Sequence, residues 1–112
     1  MSHPKVPATP LGRRLRAARE AFGWSQLELA RRLGLPDPVS GSTRVSRYES
    51  GQHRPDPATM EALAKILGLP VAYFYASSDL LSEIILLASQ LPVTKQKQVL
   101  EHLRQMSGKT RE

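Results

Sequence analysis

The sequence contains no cysteine. That excludes a disulfide framework, a thiolate zinc site and a cysteine nucleophile, and it suits a reducing cytoplasm. Long apolar runs are missing too. The longest, Ile84-Ile85-Leu86-Leu87-Ala88, is far short of a bilayer span, and the opening MSHPKVPATP has no apolar core of the kind a secretory signal needs. A cytoplasmic chain with no membrane role is expected. The three histidines, His3, His53 and His102, stand at no metal-ligand spacing, so no metal is expected. There is no glycine-rich phosphate loop and no serine in a nucleophile-elbow sequence. Glu20, Glu28 and Glu49 are isolated acids, better suited to caps and ion pairs than to a general acid/base pair. No catalytic residue, no cofactor and no enzyme activity are expected. No internal repeat and no strand pattern appears, which leaves an all-α chain.

What is present is an uneven charge. The formal charge is +6, and residues 1–55 hold ten Lys/Arg against four acids, whereas residues 56–112 hold six of each. Nine of the ten N-terminal cations are arginine, whose planar fork suits phosphates and guanine edges. A basic face of this kind fits nucleic acid or an acidic protein.

Punctuation by proline, glycine and capping residues divides the chain into helices. Residues 1–8 are polar and proline-bearing and read as a flexible N-terminal arm. Thr9-Pro10 opens helix 1, with Leu11, Leu15, Ala18 and Phe22 at helical spacing before Gly23. Ser25-Gln26-Leu27-Glu28 is a capping box for helix 2, and Trp24 with Leu29 has the spacing of a hydrophobic staple. Val45 and Tyr48 point one way on a short helix 3 that ends at Gly51. Asp56-Pro57 opens helix 4, with Met60, Leu63, Ala64 and Leu67 as its apolar stripe, and residues 70–75 form a short fifth helix. Residues 79–91 carry two apolar stripes, Leu80/Ile84/Leu87/Leu91 and Leu81/Ile85/Ala88, an arc so wide that it needs cover on more than one side. Beyond Pro92, Thr94 is placed to cap a last helix with Val99, Leu100, Leu103 and Met106 inward.

Several stretches match one known pattern in order. They are Leu15-Arg16-Ala17-Ala18-Arg19, Gly23-Trp24-Ser25-Gln26-Leu27-Glu28-Leu29-Ala30, Leu33-Gly34-Leu35, Arg44-Val45-Ser46-Arg47-Tyr48-Glu49-Ser50-Gly51, Arg54-Pro55 and Leu63-Ala64-Lys65-Ile66-Leu67-Gly68-Leu69-Pro70, with Phe74 closing the series. Together they resemble the helix-turn-helix domain of the phage repressor and Cro type, the XRE family. The resemblance implies a five-helix lambda repressor-like DNA-binding domain over residues 9–76. Two C-terminal helices over 77–112 would follow it as a dimerisation element.

The same resemblance implies roles. Helix 3 lies in the major groove, so Ser42, Thr43, Arg44, Ser46 and Arg47 are the expected base-reading residues, Arg47 being suited to guanine O6 and N7. Gln26 at the start of helix 2, and Gln52, His53 and Arg54 after helix 3, are the expected phosphate contacts. Arg19 and Glu49 are expected as a partly buried ion pair, and Trp24, Val45, Tyr48 and Leu63 as core. The implied function is a transcriptional regulator, a repressor that binds a double-stranded operator as a homodimer on the nucleoid. Leu80, Leu81, Ile84, Ile85, Leu87, Leu91, Leu100 and Leu103 are the expected dimer interface. Two alternatives stay open. One is an antitoxin that represses its own operon and binds a toxin; the other is a basic helical interaction module with no DNA role.

The pattern departs from the family in one place. Leu35 to Arg44 is ten residues, well beyond the tight turn of a helix-turn-helix unit. Asp37-Pro38 repeats the Asp56-Pro57 signal and allows an early start to helix 3. The favoured expectation is that Pro36, Pro38 and Gly41 keep residues 35–41 as a loop, with Ser40 or Ser42 as the cap and hydroxyl or amide contacts to phosphate.

Overall fold

The computed structural model describes residues 9–108, and its helices begin where capping side chains stand. In chain order they are α1 (Pro10–Ala21), α2 (Gln26–Arg32), α3 (Pro38–Ser50), α4 (Pro57–Leu67), α5 (Val71–Tyr75), α6 (Asp79–Ser89) and α7 (Val93–Ser107). No strand occurs among the described residues, so the all-α expectation of five helices and then two holds. The arm expected over residues 1–8 lies outside the described residues, as does His3. The Thr9 hydroxyl accepts the Gly12 amide, the Ser25 hydroxyl the Glu28 amide, the Asp56 carboxylate the Thr59 amide and the Ser78 hydroxyl the Leu81 amide. Each satisfies one of the free N–H groups of a helix start. The Glu28 carboxylate does not complete a capping box but reaches Arg32, 3.0 Å away.

The segment before α3 departs from the favoured expectation. Only residues 35–37 are a loop: α3 starts at Pro38, with Asp37 as its cap and the Val39 amide on the Asp37 carboxylate at 3.1 Å. Ser40 and Ser42 are inside the helix, not at its cap. Proline at the first turn loses no hydrogen bond, and its fixed φ is already helical. Gly41, expected to weaken such a helix, is what lets it sit where it does. A Cβ on Gly41 would lie 2.9 Å from the Ala30 Cβ and 3.1 Å from Leu35 Cδ1. The extra residues therefore lengthen the third helix at its N-terminal end, and the glycine makes room for α2 against it.

The core collects the inward stripe of each of the first five helices. Leu15, Leu29, Ala30, Val45, Met60 and Leu63 are fully buried, and Phe74 from α5 is buried with them. Tyr48 belongs to this core, as expected. Trp24 is only half-buried: it stacks on Phe22 with ring centroids 4.3 Å apart, and the Arg32 guanidinium lies 4.0 Å above its ring. Phe22, expected on the buried stripe of α1, stands half exposed in that stack.

After α5 the chain leaves the core. α6 packs on α5, and α7 packs chiefly on α6. α7 is capped at Pro92 without a side-chain hydrogen bond, so Thr94 is not the cap but an interior residue of the helix. The Gln96 amide group instead donates to the Ala88 carbonyl at the end of α6, 2.8 Å away. The radius of gyration is 16.7 Å, against about 13 Å for a compact chain of this length.

Candidate nucleic-acid interface

α3 is a two-faced helix. Gly41, Val45, Tyr48 and Glu49 are buried, and the opposite side carries Val39, Thr43 and Arg47 one turn apart, all exposed. Arg44 is exposed on one flank of that side, whereas Ser42 and Ser46 are half-buried on the other. Of the five residues expected to face bases, Thr43, Arg44 and Arg47 thus stand clear of the domain and the two serines lie at its edge.

The chain turns back after α3 through Gly51, in the left-handed conformation at φ 83°, and the His53 amide donates to the Arg47 carbonyl at 3.2 Å. This turn brings Gln52, His53 and Arg54 to the end of α3, all three exposed. Thr43, Arg44, Arg47, His53 and Arg54 line one open depression of about 610 Å³. Gln52 and Gln26 do not line it. Asp56 does, but its carboxyl is held below the usual carboxylate range chiefly by the Thr59 amide, with the Arg44 charge adding to the effect. Among the described residues, Arg44, Arg47 and Arg54 form no salt bridge. The depression offers three guanidinium groups outside any salt bridge, Arg44 alone sensing the Asp56 charge, and two turns of an exposed helix face.

Behind this face α3 is fixed to α1 by a buried ion pair. Arg19 Nε donates to Glu49 Oε2 at 2.6 Å and its Nη2 to Oε1 at 3.0 Å, a bidentate fork, while Nη1 donates to the Trp24 carbonyl at 2.7 Å. Hydrogen bonding to Glu49 raises the Arg19 guanidinium above its ordinary range, against the desolvation that lowers it. The Gln26 amide also donates to Glu49 Oε1, 3.1 Å away. Expected as a phosphate contact, the Gln26 side chain is thus joined to this buried cluster. Its backbone amide still stands at the first turn of α2, where free N–H groups favour an anion.

A second arginine cluster was not foreseen. Arg14 is buried and donates from Nη1 to the carbonyls of Tyr73, Phe74 and Ala76 at 3.3, 3.2 and 2.8 Å, and from Nη2 to Asp79 at 3.1 Å. Arg13 reaches the same carboxylate at 2.7 Å. These two cations, counted in the sequence as part of a basic surface, join α1 to the start of α6. The only sequence signal was an arginine on the buried side of helix 1, next to Leu11 and Leu15.

On α6 and α7 the expected interface residues Leu80, Leu81, Ile84, Leu87, Leu91, Leu100 and Leu103 are all exposed, together with Val93 and Met106, and Ile85 is half-buried. No helix among the described residues is long and apolar enough to cross a membrane. No group of three or more His, Cys, Asp or Glu side chains among them is placed to hold a metal.

Residues 10–73 match the family described as a helix-turn-helix domain. A relative from Rhodospirillum rubrum, described as an uncharacterized transcriptional regulator in the ATPase CF(0) region, is 32% identical over 69 residues, 62% of this chain. The chain spans 59% of that relative's length. The crystal structure of transcriptional regulator BswR superposes with a TM-score of 0.75 at 39% identity, covering 84% of this chain and 92% of that one.

Proposed function

This chain belongs to the XRE-type helix-turn-helix family of DNA-binding transcriptional regulators, and from that membership we propose that it is a repressor which binds a duplex operator as a homodimer. The observation that carries the reading is the exposed arginine face of α3 with Arg54 beside it. Arginines held in no salt bridge are open to phosphates and base edges, and the solvation they lose is replaced there by charge-assisted hydrogen bonds. Thr43, Arg44 and Arg47 read bases, with Ser42 and Ser46 at the margin. His53, Arg54, Gln52 and the amide end of α2 at Gln26 contact phosphates and set the register.

The division of labour follows the packing. Residues 9–76 form the DNA-binding unit, and residues 77–112 join two copies. α7 has no buried residue, and a helix packed chiefly on one neighbour leaves most of its stability to be supplied by further tertiary packing. A second copy packed on Leu80, Ile84, Leu87 and Leu100 covers both helices. It also repeats α3 across a two-fold axis, as a palindromic operator requires. Repression follows where the operator overlaps a promoter, and such a protein resides on the nucleoid.

The test is selection of bound duplexes from a random library by the full chain, with binding measured as a function of salt. The expected outcome is a two-fold repeated consensus, bound far more tightly than random duplex and more weakly as salt rises. Equal, weak binding to every duplex overturns the reading in favour of an interaction module. A toxin co-purifying on α6 and α7 replaces the homodimer with an antitoxin.

A further inference from the structure

The first turn of α3 carries an apolar side chain at the centre of the helix's exposed side. Val39 is 74% exposed. Thr43 and Arg47 continue its line at the next two turns, opposite Gly41, Val45 and Tyr48. The hydroxyls around it are turned inward: Ser40 Oγ donates to the Asp37 carbonyl and Thr43 Oγ1 to the Val39 carbonyl, each at 3.3 Å. With its hydroxyl proton bound within the helix, Thr43 offers its methyl beside an oxygen that can only accept. The leading end of the helix therefore presents methyl groups where a solvated helix would present charge.

Folding does not account for this valine. A β-branched residue is a poor choice for an exposed helical position, and Val39 keeps about three-quarters of its surface in contact with solvent. Nor can it bind phosphate, since it has no donor. The major groove holds one apolar group, the 5-methyl of thymine, and a recognition helix meets base edges first with its N-terminal residues.

We infer that Val39 is a specificity-determining residue, packing its methyls with that of Thr43 on the 5-methyl group of a thymine in each half-site. It acts one to two turns ahead of the arginines. This rests on the operator reading above and deepens it. The added helical turn lengthens the stretch of groove that α3 reads and gives its leading end a preference for thymine over cytosine.

The experiment uses the full chain and the duplex selected from a random library. Each thymine is replaced in turn by deoxyuridine, which keeps every hydrogen-bonding group and removes only the methyl. Loss of about one buried methyl contact predicts a three- to fivefold weaker affinity at one position per half-site. Val39→Ala, whose helix propensity is better than valine's and whose fold is checked by thermal melting, should bind more weakly by a similar factor. Its penalty for deoxyuridine at that position should also shrink below that of the wild type, the Thr43 methyl keeping the remainder. A selected duplex whose affinity is unchanged by deoxyuridine everywhere overturns the assignment of Val39 and leaves the operator reading intact. A deoxyuridine effect that persists undiminished in Val39→Ala does the same. Absence of any preferred duplex overturns both.

Discussion

The buried Arg14 guanidinium binds the exposed Asp79 carboxylate across the junction between α5 and α6, 3.1 Å away, so the DNA-binding unit and the C-terminal hairpin share one electrostatic clasp. Arg14 also takes the carbonyls that end α5, and Arg13 closes on the same carboxylate from outside. Since α6 carries the apolar stripe that would join two copies, the clasp fixes the direction in which that stripe leaves the domain. In the proposed dimer these charges would bear on the spacing between the two α3 helices.

The clasp has a pH dependence of definite sign. The hydrogen bond from Arg13, and next that from Arg14, hold the Asp79 carboxyl below its ordinary value of 3.8. A carboxyl with a depressed folded pKa stabilises the fold fully above the unfolded value and loses that contribution as pH falls through the folded one. Wild-type protein should lose melting temperature below about pH 4 more steeply than Asp79→Asn, which has no proton to gain there. Melting curves between pH 6 and pH 2.5 measure the difference, which separates Asp79 from Asp56, also depressed and present in both proteins. Parallel curves would show that the clasp contributes nothing.

Glu49→Ala should cost on the order of 3 kcal/mol of unfolding free energy, because it leaves the Arg19 charge buried without its partner. The side chains are only 10% and 4% exposed, so water cannot easily take the place of the carboxylate. Arg19→Lys should not escape the penalty, as a single ammonium cannot reproduce the fork on both oxygens. Urea denaturation of the three proteins checks this, and a loss below about 1 kcal/mol for Glu49→Ala would place the pair among ordinary surface bridges.

Gly12→Ala tests the contact that brings α1 against the end of α3. A Cβ there meets the Glu49 carbonyl, which is backbone and cannot swing aside. The expected loss is about 1–3 kcal/mol from overpacking, read by chemical denaturation. Gly68→Ala is the contrast: nothing lies within 4 Å of its Cβ, but φ is +69°, so only the left-handed backbone is penalised, by about 1 kcal/mol.

Local signals made most of this fold legible. Thr9-Pro10, Ser25, Asp56-Pro57 and the glycines after α3 and α4 mark helix ends by chemistry that acts within four residues, and the structure keeps them. The stretch before α3 was harder because its outcome depends on a tertiary contact. Gly41 weakens an isolated helix, yet the approach of Ala30 and Leu35 makes glycine the residue that fits. Asp37-Pro38 is an equally good start signal, but Pro36, Pro38 and Gly41 together favour a loop locally. Thr94 failed as a cap because Pro92 already supplies the helix's first acceptor, to the Gln96 amide. Arg14 shows the same limit at the site. Composition identifies a cation, but only the fold decides whether it faces phosphate or the carbonyls of α5.

Leu80→Glu with Leu87→Glu should separate two copies while the core of residues 9–76 stays folded. Both leucines are more than half exposed in the single chain, so the domain core does not depend on them. In a two-fold interface each new carboxylate is duplicated in the opposite copy, in an apolar patch that offers it no partner. Sedimentation equilibrium should show monomer where the wild type is dimer, at an unchanged melting temperature for residues 9–76. A dimer that survives both substitutions would place the interface elsewhere.

Arg47→Ala and Arg54→Ala should fail differently on DNA, and the difference tests the assignment of base and phosphate contacts. Arg47 stands on the exposed line of α3, one turn beyond Thr43, where a guanidinium can take guanine O6 and N7 together. Its loss should cost about 1–3 kcal/mol on the preferred duplex and little on a duplex changed at that one base pair, so the selected consensus relaxes at one position per half-site. Arg54 lies beyond the glycine turn, beside the helix instead of on it, and in the proposed complex it contacts phosphate. Its loss should weaken preferred and random duplexes alike, and the slope of log affinity against log salt should fall by about one per site, one counterion fewer being released. If the two variants relaxed the consensus equally, the turn after α3 would have to enter the groove with the helix.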